Sequence, residues 1–284
     1  MNPRRSTNIR SNLSIIPNSK PIDYIGNRDN NGLKTGFGIQ KWSNGTIFKG
    51  NFKNDRINGW GIVTYSSQNI FKGKFSNDKA NGFGIYLFKN GKRKMGYWFN
   101  DVLIGIGCEY ENDEYFYGEF QNSEKYGLGI VKSQKDDKII YEGEIKYNNY
   151  NGFGIKYYDD GNAYYGNWTN NFKNGYGEYV SFGGQKYIGY FKNDKKDGFG
   201  LYYLLKDTYN IGYWENDLLE GIVKCFIGNE YSYSFWKEDK KKKVFKDVNE
   251  IRNLKDFNYD KYSVLFGFDI ETIRFFFEDD EDSK

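Results

Sequence analysis

Catalysis at neutral pH needs a proton carrier, an activated nucleophile or a cluster of ligands, and this chain of 284 residues offers little of any. It has no histidine, which removes the usual general base and the commonest metal ligand and excludes Ser-His-Asp and Cys-His arrangements. The two cysteines, Cys108 and Cys225, stand in unrelated contexts, so nothing pairs them by design, and a reducing intracellular compartment is expected. Asp55, Asp78, Asp101, Asp194 and Asp217 each follow an asparagine at a recurring place, which makes them turn formers before calcium ligands. Gly-x-Gly pairs recur too, but a dinucleotide fingerprint needs a third glycine opening a helix. Two charge runs remain: Lys240, Lys241, Lys242 and Lys243 with Lys246, and the acids from Glu278 to Asp282. Each reads first as a solvated end. The functional alternatives are an anionic-surface contact for the lysines, about 1 kcal/mol apiece near charged lipid, and an interaction tail for the acids. No cofactor or metal is expected, and the chain reads as a non-enzyme.

What positions these residues is a repeat. From Gly26 a glycine recurs at Gly50, Gly73, Gly96, Gly118, Gly143, Gly166, Gly189 and Gly212, and in the seven central units a Gly-x-Gly follows, from Gly59/Gly61 to Gly198/Gly200. A fixed period of this kind decides architecture before propensity does. The outer units are degenerate: Gly221-Ile-Val223 lacks its second glycine, and Tyr233-Ser-Phe-Trp236 puts Ser234 where the glycine belongs. Terminal repeats must cap a stack rather than continue it. About nine units therefore occupy residues 22–237. Residues 1–21 form a basic arm expected to be disordered, its resemblance to a mitochondrial presequence broken by Pro3 and Pro17. Residues 238–284 hold the lysine-rich segment, capping helices and the acidic tail.

Within one unit Phe48, Gly50 and Phe52 alternate with Lys49, Asn51 and Lys53, the period of a half-buried strand. Asn54 to Asn58 then supplies a turn, and a second strand follows from Gly59. Between units, Asn44-Gly45, Asn90-Gly91, Asp160-Gly161 and Gly183-Gly184 predict type I′ hairpins. The expected fold is all-β, an elongated single antiparallel sheet of stacked hairpins extending roughly 85 Å at about 4.8 Å per strand. Glycine inside strands leaves room for rings to lie across the backbone, which would build a core from one layer. Asp247 is placed to cap a helix with Val248, Ile251 and Leu254, and Asp269 another with Ile270, Ile273, Phe276 and Phe277, the two folding back over the last strand. The spacing from Gly118 to Gly143 is longer than its neighbours, and the extra length near Ser133 to Lys138 reads as a loop that could carry specificity.

The pattern Tyr164-Tyr-Gly166-Asn-Trp168, followed by Gly175-Tyr-Gly177 and an Asn-Gly or Asp-Gly turn, resembles the MORN (membrane occupation and recognition nexus) repeat. The resemblance implies an elongated, twisted sheet of hairpins. It also implies company, because similar repeats occur in radial-spoke heads and other ciliary and cytoskeletal scaffolds, in junctophilins, and beside plant phosphoinositide kinases and a lysine methyltransferase. Nothing after the array resembles those enzymes. The expected function is a non-catalytic scaffold docking protein partners in a cilium, flagellum, axoneme or cytoskeletal assembly such as a radial spoke. Its expected docking face is the ring-lined one, with Phe52, Phe75, Trp98, Phe120, Trp168, Phe191 and Trp214. The alternative is a peripheral membrane or phosphoinositide adaptor using Lys240 to Lys243, Lys246 and repeat lysines such as Lys49, Lys53, Lys72 and Lys192 to contact anionic lipid. A mitochondrial accessory subunit is a third reading, and homodimer formation stays open. Aromatics at 20% with three prolines and a net charge of +3 indicate a folded protein with no nucleic-acid partner.

Overall fold

Alternation dictates the strands, and the burial follows it residue by residue: in Ile47–Lys53, Phe48, Gly50 and Phe52 are buried while Lys49, Asn51 and Lys53 are exposed. The computed structural model describes residues 14–205, 207–255 and 257–267. They form an open antiparallel sheet of twenty strands, each hairpin made from strands adjacent in sequence. The described residues fall into two compact units, one holding those up to 139 with 145–148, the other 140–144 with those from 149 onward. The fold is all-β, with two short helices, α1 (Val248–Arg252) and α2 (Tyr259–Gly267), at its C-terminal end.

Register is set by glycine facing glycine. Gly50 pairs with Gly61 and Gly73 with Gly84 in the first unit, as Gly166 pairs with Gly177 and Gly189 with Gly200 in the second. A ring lies across each pair. A Cβ on Gly61 would collide with the ring of Phe48, although the backbone there needs no special conformation. The rings meet edge to face: Phe71 lies 5.4 Å from Phe75 and 5.2 Å from Trp98, and Tyr187 lies 5.1 Å from both Phe191 and Trp214. This is the favoured geometry for aromatic quadrupoles, worth about 1 kcal/mol per pair beyond burial. Trp98 and Trp168 also donate their indole N–H to the carbonyls of Gly84 and Gly154 at 3.0 and 3.1 Å.

The two turn types exchange places relative to expectation. The tight turn is Asn-Asp, with both residues at positive φ, 49° and 64° at Asn54-Asp55 and 50° and 70° at Asn193-Asp194. At Asn44-Gly45 only the glycine is left-handed, φ 82°, because Trp42 pairs with Thr46 around a three-residue loop and glycine takes the bulge position. The aspartates also hold the stack together. Each turn binds the preceding hairpin: Asp78 Oδ1 accepts the Ile57 amide at 2.7 Å, Asp101 that of Ala80 at 2.7 Å and Asp217 that of Lys196 at 2.8 Å. Asn148, Asn171 and Ser123 fill the same role elsewhere. The lengthened segment at Ser133 to Lys138 is a surface turn, with Asp137 at φ 57° and the Tyr115 hydroxyl bonded to its carboxylate.

The boundaries shift at both ends. Residues 14–20, assigned to the arm, include Ile15, which is 2% exposed and whose carbonyl accepts the Tyr65 hydroxyl at 2.5 Å. The array does not stop at 237: Lys240–Phe245 is a further strand pairing with Glu230–Lys237. Asp247 does cap α1, accepting the amides of Asn249 and Glu250. The following helix is α2, which sequence periodicity did not single out, and both helices pack on the face carrying Ile211, Ile222 and Phe226 through Ile251 and Leu265. No strand among the described residues pairs beyond Lys240–Phe245. Its exposed lysines serve as the charged guard of a sheet edge. The Asp269 helix, Phe275 to Phe277 and the acids from Glu278 to Asp282 lie outside the described residues.

Candidate functional site

The seven rings expected to line an open docking face are core. Phe52, Phe75, Trp98, Phe120, Trp168, Phe191 and Trp214 are between 1% and 5% exposed. Edge-to-face packing over glycine removes them from solvent, so the accessible rings belong to the opposite, outer face. There the middle residue of each Gly-x-Gly points outward: Phe37, Trp60, Phe83, Ile106 and Leu128 in the first unit are 50–62% exposed, and Phe153 and Tyr176 in the second 55% and 51%. Cross-strand neighbours add to this ladder, Tyr97 opposite Phe83 and Tyr190 opposite Tyr176. Its signal was present in the sequence as the large residue inside each Gly-x-Gly. In the second unit the corresponding Phe199 is half-buried against the cluster that includes Ile251 and Leu265 of the C-terminal helices, so the chain's own C-terminal segment meets this row at one place.

The inner face has two further positions per hairpin, two residues before the first glycine and two after the second, which flank the ring core. In the first unit they read Ile57/Val63, Ala80/Tyr86, Leu103/Glu109 and Lys125/Val131. Ile57, Val63, Ala80 and Leu103 are at most 2% exposed. Glu109, 3% exposed, is the charged exception: Lys94 stands in the ring position opposite it, and its carboxylate lies 3.0 Å from Lys94, 3.0 Å from Lys125 and 3.4 Å from Lys92. Burial alone would raise the Glu109 carboxyl, but the three ammonium groups overcome this and hold it below its ordinary value. Burial lowers Lys94 despite the same carboxylate, because one anion is shared among three cations.

In the second unit the two positions read Tyr150/Lys156, Lys173/Tyr179 and Lys196/Tyr202, a lysine and a tyrosine in each of three consecutive hairpins, before Leu219/Cys225. The lysine nitrogens lie 5.5 Å from the Tyr150 ring, 4.9 Å from the Tyr179 ring and 4.6 Å from the Tyr202 ring. Burial pushes Lys173 and Lys196 below the ordinary lysine value; Asp194 and Asp217 oppose the shift from a distance while their Oδ1 atoms accept the amides of those same lysines. Lys173, Lys196, Tyr179 and Tyr202 open onto a cleft of about 210 Å³ that Asp194 and Asp217 also line. Among the described residues none of Lys156, Lys173 and Lys196 makes an ion pair.

The lysines singled out by the sequence are exposed, and some of those near the C-terminal end have partners. Lys243 is 2.7 Å from Glu250, Lys241 lies over Trp236, and the Lys246 backbone amide donates to Glu250. Lys49, Lys53, Lys72 and Lys192 are exposed. Among the described residues no group of three or more acids, cysteines or histidines is placed to hold a metal, and no helix is long and apolar enough to cross a membrane.

The MORN repeat family model matches six segments, residues 30–47, 48–70, 71–93, 141–163, 164–186 and 187–204. No curated protein matches the chain. Among solved structures, the SAS-4 (dCPAP) TCP domain in complex with a proline-rich motif of Ana2 (dSTIL) of Drosophila melanogaster is similar at 12% identity, over 75% of this chain and 97% of that one, with TM-score 0.27. A catalytically inactive virginiamycin B lyase from Staphylococcus aureus with quinupristin follows at 12% identity, 84% and 89% coverage and TM-score 0.15. At such scores neither likeness carries an argument about this chain. The repeat itself, a non-catalytic module that binds proteins or membranes, does: with its glycine pairs, ring core and Asn-Asp turns in register, the chain is a MORN-repeat protein.

Proposed function

We propose that the chain is a non-catalytic scaffold that docks protein partners through the outer-face ladder, in a ciliary, flagellar or cytoskeletal assembly such as a radial spoke. The observation that carries the docking reading is the row of exposed Phe37, Trp60, Phe83, Ile106 and Leu128. Contiguous apolar surface on a folded protein marks an interaction site. Half-buried Phe199 supports the same reading, since it packs against the cluster that Ile251 and Leu265 of the C-terminal helices join within the second unit. The assembly rests on family habit.

The test is stepwise extraction of cells carrying the tagged chain, with microscopy. Retention in a detergent-resistant ciliary or cytoskeletal fraction, lost on Trp60→Ser with Phe83→Ser, is the expected result. Detergent-soluble protein with no fixed neighbours would overturn it. A peripheral membrane adaptor is the second reading, favoured by the exposed lysines of Lys240–Phe245. It requires release by salt, because charge is screened and apolar burial is not.

A further inference from the structure

We propose that the inner face of the second unit recognises an extended acidic segment of a partner protein, through Lys156, Lys173 and Lys196. This goes beyond docking on the outer ladder by assigning a second face and the chemistry of its occupant.

In the first unit Lys92, Lys94 and Lys125 share a buried carboxylate, Glu109, with contacts of 3.0 to 3.4 Å, and Lys34 donates to the Gln40 side-chain oxygen at 2.7 Å. The second unit places three lysines on the same face in consecutive hairpins and supplies none with an ion-pair partner among the described residues. Half-buried ammonium groups without counter-ions are unfavourable, and close like charges make one another worse. Lys156 and Lys196 each lower Lys173 in this way. The tyrosine rings offset part of the cost through cation–π contact, and Asp194 and Asp217, whose Oδ1 atoms accept the Lys173 and Lys196 backbone amides, offset a further part at longer range without an ion pair. An incoming carboxylate would complete what Glu109 completes elsewhere.

Geometry selects the form of the ligand. Lys173 and Lys196 occupy the same position in adjacent hairpins, two strands or about 10 Å apart across the sheet. Three residues of extended chain span about 10 Å as well. A segment crossing the strands with an acid at every third residue would therefore meet Lys173 and Lys196 in turn, with Lys156 on the other flank of the preceding hairpin. The ammonium groups sit in a cleft among rings, where a thin chain can enter and the plane of a bilayer cannot.

The experiment titrates the full chain with a labelled peptide carrying glutamate at every third position. Saturable binding is expected. It should be abolished by glutamine at those positions, weakened by salt, and reduced about tenfold by each of Lys173→Met and Lys196→Met. Lys173→Arg should restore most of the loss, and thermal melts should show both methionine variants folded. Trp60→Ser with Phe83→Ser should leave this binding unchanged, so the two faces fail separately. Binding that ignores Lys173→Met and Lys196→Met, or that is as tight when the glutamates are bunched together, would overturn the proposal. Phosphatidylserine vesicles captured through Lys173 and Lys196 in place of the peptide would overturn it in favour of a lipid headgroup.

Discussion

The two units use one backbone plan and opposite chemistry on their inner faces. Phe71 over Gly73 and Gly84 in the first has its counterpart in Tyr187 over Gly189 and Gly200 in the second, with the same pairing of glycines. Beside those rings the first unit places Ile57, Ala80 and Leu103, closed to solvent, and balances its one group of cations on Glu109. The second places Lys173 and Lys196 in the positions of Ile57 and Ala80 and leaves them unbalanced. Fold therefore resides in the glycines, rings and turn clamps. The flanking positions are free to vary because their backbone is already held, as the Asp217 bond to the Lys196 amide and the Asp101 bond to the Ala80 amide show.

The largest expected effect would break the balanced side. Glu109→Gln leaves Lys94, Lys125 and Lys92 facing one another in a buried site and should cost about 3 kcal/mol of stability, read by urea unfolding. Its pH dependence has a definite sign. The folded carboxyl titrates below its ordinary 4.5, so its contribution is complete above that value and is lost as pH falls through the folded value. The difference between parent and variant should vanish in acid.

Next comes the part the units share. Gly61→Ala and Gly154→Ala each drive a Cβ into the ring of Phe48 or Tyr141 and should cost about 2 kcal/mol in either unit. Unequal costs would show that the ring core is not equivalent in the two. Smaller and opposite in sign, Lys173→Met removes a desolvated cation with no ion pair and should stabilise by about 1 kcal/mol at neutral pH. Unlike Glu109, this lysine titrates below its ordinary value, so the penalty is present at neutral pH and is relieved as pH rises through the folded value. The smallest effect is expected from Trp60→Ser, exposed on the outer face, which should change stability by no more than about 0.5 kcal/mol. It should nonetheless weaken partner capture.

Much of the fold was legible because glycine and ring spacing leave one solution. The period called for rings over glycine, a place the structure gives to Phe48, Phe71, Tyr164 and Tyr187, and Asp247 was readable as the cap of α1. The turn types were not, since Asn-Gly carries the type I′ signal in isolation, while the Trp42 to Thr46 pairing imposes a longer loop. Nor was the accessible face legible. Alternation says that two faces differ, and it cannot say that edge-to-face packing closes the one richer in rings.

The amino-acid sequence by itself determined a MORN array: a glycine at fixed intervals, rings flanking most of these glycines, and Asn-Asp at the majority of tight turns. Tertiary structure decided which rings meet solvent and which charges are compensated. Phe75 at 1% exposure and Phe83 at 50% are the same residue type eight positions apart, and Lys125 and Lys173 hold the same repeat position. What separates the members of each pair is contact from residues 15 to 25 positions away or more, Phe48 5.5 Å from Phe75 and Glu109 3.0 Å from Lys125, which a reading of one repeat at a time does not contain.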